Sequence, residues 1–296
     1  MKVAAVDIGT NSMRLLVVHR VGDGLVELGR YERVTGLGRG VDATEELSEE
    51  AMDRTLLALS EFGGRMREMG VERRRAVATS ASRDARNRDK FFDLAELALG
   101  VRPEMISGDE EAALAFAGAT SRTGEPAPHL VIDIGGGSTE FVTTDGGRSF
   151  DIGSVRLTDR VLSDRPAPPE QVATARAAVA EMFLPVTPFV GSVIGVAGTW
   201  TSLARIHLFG EGPSPAAHGD SNLVRLSLPD ITGLVERLSG LTEEQTAALP
   251  GLDPARAPVI LAGAVIAEGS ATAAGAATVT VSEYDLLDGV VSALLR

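Results

Sequence analysis

Asp7 and Asp133 each close an apolar run and open onto a turn of small residues, 9–12 (GTNS) in the first case and 135–139 (GGGST) in the second. Glycine tolerates positive φ and carries no Cβ, so successive backbone N–H groups in such a turn can converge on phosphate oxygens. Hydroxyls at Ser12, Ser138 and Thr139 add donors. The candidate phosphate-binding residues are therefore Gly9, Thr10, Asn11 and Ser12, with Gly135, Gly136, Gly137, Ser138 and Thr139. A carboxylate repels phosphate, so Asp7, Asp133 and Glu140 are better placed to handle a bridging divalent cation or an ordered water. One such turn can be an ordinary hairpin. Here Asp7, Ile8, Gly9 and Ser12 recur as Asp133, Ile134, Gly135 and Ser138, 126 positions on, and recurrence argues for a shared purpose. No GxGxxG opens a helix and no glycine-rich run ends in GK[ST], so these are not dinucleotide or Walker loops.

Three further stretches hold groups of the right kind. In 104–122 an extended start and a Ser-Gly break precede a helix-favouring segment whose first turn carries Asp109, Glu110 and Glu111. Acids there serve the helix dipole as readily as chemistry. In 77–92 a short strand passes into a helix. Thr79 and Ser80 stand at that junction, a natural anion site, followed by Arg83, Arg86 and Asn87. Arg83 can instead bridge to the neighbourhood of Asp84 or to Asp109. In 193–206 a strand, a glycine-containing turn and a helix offer Gly195, Gly198, Thr199 and Thr201, where glycines can equally permit tight packing. Trp200 stacks on a base or fills a core. His218 has no second histidine at metal-binding spacing, and Arg256 stands at a helix start.

Each acid-glycine turn joins two strands in the alternation of its residues, giving two β-hairpins. The first domain should span 1–122, a curled sheet from 2–8, 13–21, 25–34 and 75–80 covered by a helix over 48–70. A Gly- and Pro-containing linker opens the second, 123–296, whose last helix can pack back toward the first. Aliphatic richness, only 4% aromatics and Ala-rich helical stretches indicate an α/β protein. A net charge of −13 argues against broad attraction to nucleic acid or anionic lipid. No apolar run reaches the roughly 20 residues of a membrane span and the N-terminus has no cleavable signal pattern, so a cytoplasmic protein is expected. Without cysteine, any metal needs oxygen or histidine ligands, and oxygen suits magnesium.

The segments AAVDIGTNSMRLLV, ATSASRDARN, ISGDEEAALAFAGAT and LVIDIGGGSTEFV, in this order, resemble the exopolyphosphatase and guanosine pentaphosphate phosphohydrolase (Ppx/GppA) family, in its short two-domain form. The resemblance implies two ribonuclease-H-like domains of the actin, sugar kinase and Hsp70 superfamily with an interdomain cleft onto which both hairpin tips open. It implies Glu111 as the catalytic base and Arg83 as the arginine that holds substrate phosphate. It also implies Mg2+ as cofactor, inorganic polyphosphate as substrate with terminal orthophosphate released, pppGpp as the alternative substrate, and a homodimer. Near the C-terminus the family carries an arginine and a glutamate where this chain has Leu287 and Asp288, which puts a phosphate contact from the last helix in doubt. An ATP-dependent kinase and a non-catalytic phosphate sensor are the competing functions; the Glu111 block speaks against both.

Overall fold

In the computed structural model, residues 1–22, 24–209 and 221–296 are described. In chain order the elements are β1 (Lys2–Ile8), β2 (Ser12–Val21), β3 (Gly24–Val34), α1 (Val41–Thr44), α2 (Glu49–Glu68), β4 (Arg73–Ala78), α3 (Ser80–Asp84), α4 (Arg88–Leu99), β5 (Glu104–Met105) and α5 (Gly108–Thr120). They continue as β6 (His129–Ile134), β7 (Thr139–Thr143), β8 (Gly146–Phe150), α6 (Ser154–Arg160), α7 (Pro169–Met182), β9 (Ser192–Val196), α8 (Ala197–Phe209), β10 (Arg225–Ser227), α9 (Leu228–Ser239), α10 (Glu243–Ala247), α11 (Ile260–Ala273), β11 (Thr278–Val281) and α12 (Leu286–Leu294). Two compact units result, one of Met1–Gly118 with Asp285–Arg296, the other of Ala119–Tyr284.

The first unit is a five-stranded sheet in the order β3-β2-β1-β4-β5. β1 is central, antiparallel to β2 and parallel to β4. Its alternate residues feed two cores, as a strand covered on both faces must. Ala4, Val6 and Ile8 face α2 and α4 through Leu59, Phe62, Phe91 and Ala95. Val3 and Ala5 face α5 and α12 through Ala115, Leu286, Leu287 and Val290. α2 begins where Ser48 accepts a hydrogen bond from Ala51 N, with Glu49 and Glu50 in its first turn and Arg65 and Arg67 in its last, as a helix dipole favours. The division expected at 122/123 needs one correction. The last helix, assigned from sequence to the second domain, belongs to the first unit, because Leu286, Leu287, Val290 and Val291 bury themselves against Val3, Ala5, Leu16 and Val18. It can come so close because Gly118 and Gly289 lack side chains: a Cβ there would lie 1.8 Å from Asp285 O and 2.0 Å from Leu114 O.

The second unit repeats the plan. Its sheet runs β10-β11-β9-β6-β7-β8, so β8-β7-β6-β9-β11 has the order and sense of β3-β2-β1-β4-β5. Both units are ribonuclease-H-like α/β layers. The core of the second gathers Leu130, Ile132 and Ile134 with Phe141, Phe150 and Phe183 and with α11, an apolar helix buried almost all round. Among the described residues, no helix is long and apolar enough to cross a membrane.

Candidate functional site

In the first unit Asp7 occupies the last-but-one position of β1, on the same face as Val3 and Ala5 and directly opposite Arg14 of β2. Arg14 Nη2 and Nε donate to Asp7 Oδ2 at 2.6 and 3.0 Å, and Arg14 Nη1 donates to Asp285, the residue that caps α12. Asp7 is 4% exposed, and its Oδ1 has no hydrogen-bond partner. Burial pushes the Asp7 carboxyl up from its ordinary value, more than the Arg14 guanidinium pulls it down.

The turn after Asp7 closes through Gly9 N donating to Ser12 O at 3.1 Å. Thr35 N and Gly36 N donate to Asn11 O, Gly38 N to Thr10 O, and Ala81 N to Thr10 Oγ1, so the tip is held from two sides. The Asn11 side chain is 4% exposed, and neither its amide nitrogen nor its oxygen is hydrogen-bonded. A buried, unsatisfied carboxamide costs about 1–3 kcal/mol and so marks a place where a polar ligand belongs.

Glu111 lies in the first turn of α5, where Ser107 Oγ accepts from Glu110 N. It is 8% exposed and accepts from Arg83 Nη1 at 2.8 Å. The same nitrogen donates to Ile106 O at 3.0 Å. Burial raises the Glu111 carboxyl above its ordinary value, with Arg83 opposing and Asp7 adding to the rise. The two residues expected to do chemistry are therefore one ion pair, and Arg83 binds neither Asp84 nor Asp109 in its place. Its neighbours are structural. Asn87 brackets Leu47, donating to its carbonyl at 2.8 Å and accepting from its N–H at 2.9 Å, while Arg86 pairs with Glu45. The anion site expected at Thr79 and Ser80 is spent, because Ala81 N is taken by Thr10 and the N–H groups of Ser82 and Arg83 by Thr79 O.

In the second unit the hairpin closes in the same way, Gly135 N donating to Ser138 O at 3.0 Å. Neither Gly9 nor Gly135 has a φ in the left-handed region; a Cβ would instead stand 2.9 Å from Ser12 O and 3.3 Å from Ser138 O, so close approach is what glycine supplies. The carbonyls of Gly135 and Gly136 accept from N–H groups at the start of α6, and among the described residues the N–H groups of Gly136, Gly137 and Ser138 find no acceptor. Such amides form an anion cradle. Thr139, expected as a hydroxyl donor, is fully buried, and its single proton goes to Ile152 O at 2.6 Å.

Asp133 and Glu140 face one another across β6 and β7, and Glu140 faces Ser149 of β8. The three form a row on one sheet face. Glu140 is 1% exposed and accepts from Ser149 Oγ at 2.7 Å. The repeat sets Glu140 where the first unit has Arg14, so one copy of the device places an arginine opposite its aspartate and the other a second carboxyl. Two adjoining buried carboxylates suit a divalent cation. Among the described residues no cluster of three acids or histidines that could hold a metal ion is found.

A model of the Ppx/GppA phosphatase family matches residues 16–296. The chain belongs to that family. It is 40% identical over 317 aligned positions to exopolyphosphatase 2 of Mycobacterium tuberculosis, covering 99% of this chain and 98% of that one. Among solved structures it is similar to an exopolyphosphatase from Cytophaga hutchinsonii (TM-score 0.89, 28% identity, covering 100% of this chain and 98% of that one). It is also similar to the Aquifex aeolicus Ppx/GppA family member (TM-score 0.80, 29% identity, covering 100% and 97%).

Leu287 is fully buried among Val3, Ala5 and Leu16, and Asp288 accepts from Arg30 at 2.9 Å while capping Asp285 N. Neither is available to phosphate. The turn at 195–201 is mostly packing: Gly195 abuts the ring of the fully buried Trp200, Thr199 meets Gly263, and Thr201 Oγ1 bonds Ala197 O and Gly198 O. Gly198 makes room for the guanidinium of Arg256, which is buried rather than solvated. Ala197 sits at φ 72°, a left-handed conformation that no sequence pattern announces. His218 lies outside the described residues. Reading along the sequence missed Arg14, Asp285, Gly153 and Arg156. The one signal for Arg14 was its alignment with Glu140 in the repeat.

Proposed function

We propose that the protein is an exopolyphosphatase, removing the terminal phosphate of inorganic polyphosphate by water attack on the phosphoanhydride. The observation that carries this reading is the ion pair of buried Glu111 with half-buried Arg83. Hydrolysis needs a base beside a cation: Glu111 accepts a proton from the attacking water, and Arg83 transfers its charge toward the phosphoryl oxygens as negative charge develops on them. A raised carboxyl pKa brings Glu111 closer to neutrality and makes it a better base. The backbone cradle at the 135–138 tip and, in the first unit, the Asn11 carboxamide supply donors that suit phosphate oxygens. The name of the Mycobacterium tuberculosis relative points the same way.

Asp133 and Glu140 would hold magnesium, and Asp7 offers Oδ1 to a cation or an ordered water; bound magnesium would neutralise phosphate charge during transfer. Phosphate release should be assayed side by side on linear polyphosphate, on pppGpp, and on ATP with candidate acceptors. Release from polyphosphate, lost in Glu111→Gln, supports the reading. Preference for pppGpp moves the substrate to the guanosine nucleotide, and transfer to an acceptor replaces hydrolysis altogether.

A further inference from the structure

The tip at 135–138 is held from behind by the start of α6. Gly135 O accepts from Ser154 N at 3.0 Å and from Ser154 Oγ at 3.3 Å, and Gly136 O accepts from Val155 N at 2.8 Å and Arg156 N at 3.1 Å. Gly137 O accepts from Arg156 Nε at 2.9 Å. A trans peptide is planar, with its C=O and the following N–H pointing in opposite directions. Drawing three successive carbonyls toward α6 therefore turns the N–H groups of Gly136, Gly137 and Ser138 the other way, and these are the three amides without an acceptor. Gly153 is what lets α6 come this near. A Cβ on it would lie 2.4 Å from Gly136 C and 2.5 Å from Gly136 O and Gly137 N, although its own φ of −147° and ψ of 172° suit any residue.

We propose that Arg156 is a positioning residue for phosphate binding: its guanidinium, holding Gly137 O, fixes the Gly137–Ser138 peptide so that Ser138 N–H joins the cradle. The other two peptides keep backbone donors under any side-chain substitution, Gly135 O having Ser154 Oγ in addition to Ser154 N. Arg156 is the tunable member of the set. The inference rests on the reading of this tip as a phosphate cradle.

The test follows the backbone amides of Gly136, Gly137 and Ser138 by heteronuclear NMR during titration with tripolyphosphate, in the full-length protein and in Arg156→Ala, Arg156→Lys and Gly153→Ala. In the wild type all three resonances should shift together. Loss of one charge-assisted hydrogen bond in Arg156→Ala should weaken binding about tenfold, with the Ser138 response lost and that of Gly136 kept. Arg156→Lys, which keeps a charged donor, should recover most of the affinity. Gly153→Ala should disturb all three amides. Wild-type affinity and an unchanged Ser138 response in Arg156→Ala would overturn the proposal while leaving the cradle standing. Wild-type amides indifferent to tripolyphosphate would remove the cradle, and the role of Arg156 with it.

Discussion

Replacing Glu111 by glutamine separates catalysis from folding, because the two depend on different properties of the same side chain. Glutamine keeps the shape of Glu111 and an oxygen that accepts from Arg83 Nη1, now at 2.8 Å. It removes a carboxylate whose burial outweighs the attraction of Arg83, so the fold gives up little in losing the charge. Arg83 keeps Ile106 O as an acceptor. Stability should change by no more than about 1 kcal/mol, or about 2–4 °C in melting temperature. Activity should fall about 10²–10⁴-fold, the usual contribution of a positioned general base, which corresponds to about 3–5 kcal/mol of transition-state stabilisation. Arg83→Met should behave in the opposite way, because it strands the buried Glu111 charge at a cost of about 1–3 kcal/mol. The double variant should recover most of that loss, since it removes both halves of the pair. Orthophosphate release under substrate saturation and thermal unfolding of the same preparations give both numbers. A Glu111→Gln protein that unfolds well below the wild type, or that turns over at an undiminished rate, would refute the assignment.

Other predictions follow from the same geometry. Acidification should abolish turnover at a pH above the ordinary glutamate value of 4.5, because burial favours the protonated form of Glu111; a pH–rate profile of kcat/KM locates the limb. The sign for stability is the reverse of the common carboxylate case: a raised folded-state pKa contributes stability at low pH that is lost as pH rises through the raised value, so Glu111→Gln should gain on the wild type toward neutral pH. Gly289→Ala sets a Cβ against the Leu114 carbonyl at 2.0 Å, and because both partners are backbone it should cost about 3 kcal/mol, read as a lowered denaturation midpoint. Chelation of divalent ions should silence phosphate release, and Glu140→Gln should raise the magnesium concentration for half-activity about tenfold or more.

Both hairpins were legible because an acid followed by small residues appears twice at one spacing, each time between two strand-forming runs; the order of the strands in each sheet was not. Glu111 and Arg83 were legible as residues, but their union was not, since only folding brings the two elements together. Distance along the chain hid more. Arg14 reaches Asp285 across 271 positions, and no local pattern in β2 announces that partner. Of the two properties read for glycine at the tips, only the missing Cβ is used: at Gly9 and Gly135, and at Gly153, which the sequence did not flag, the demand is for room beside another backbone and not for a left-handed φ. Polar residues near the motifs were overvalued for a related reason. Thr139, Asn87 and Thr201 satisfy buried carbonyls and loop ends, a need invisible until the backbone is placed.

Polyphosphate turned over in oxygen-18 water, with the released orthophosphate weighed by mass spectrometry, tests the central claim most directly. Attack by a water held at Glu111 predicts one labelled oxygen in each orthophosphate released, and release slowed about 10²–10⁴-fold in Glu111→Gln. Orthophosphate without label, or phosphate that leaves polyphosphate only when another acceptor is supplied, would contradict it.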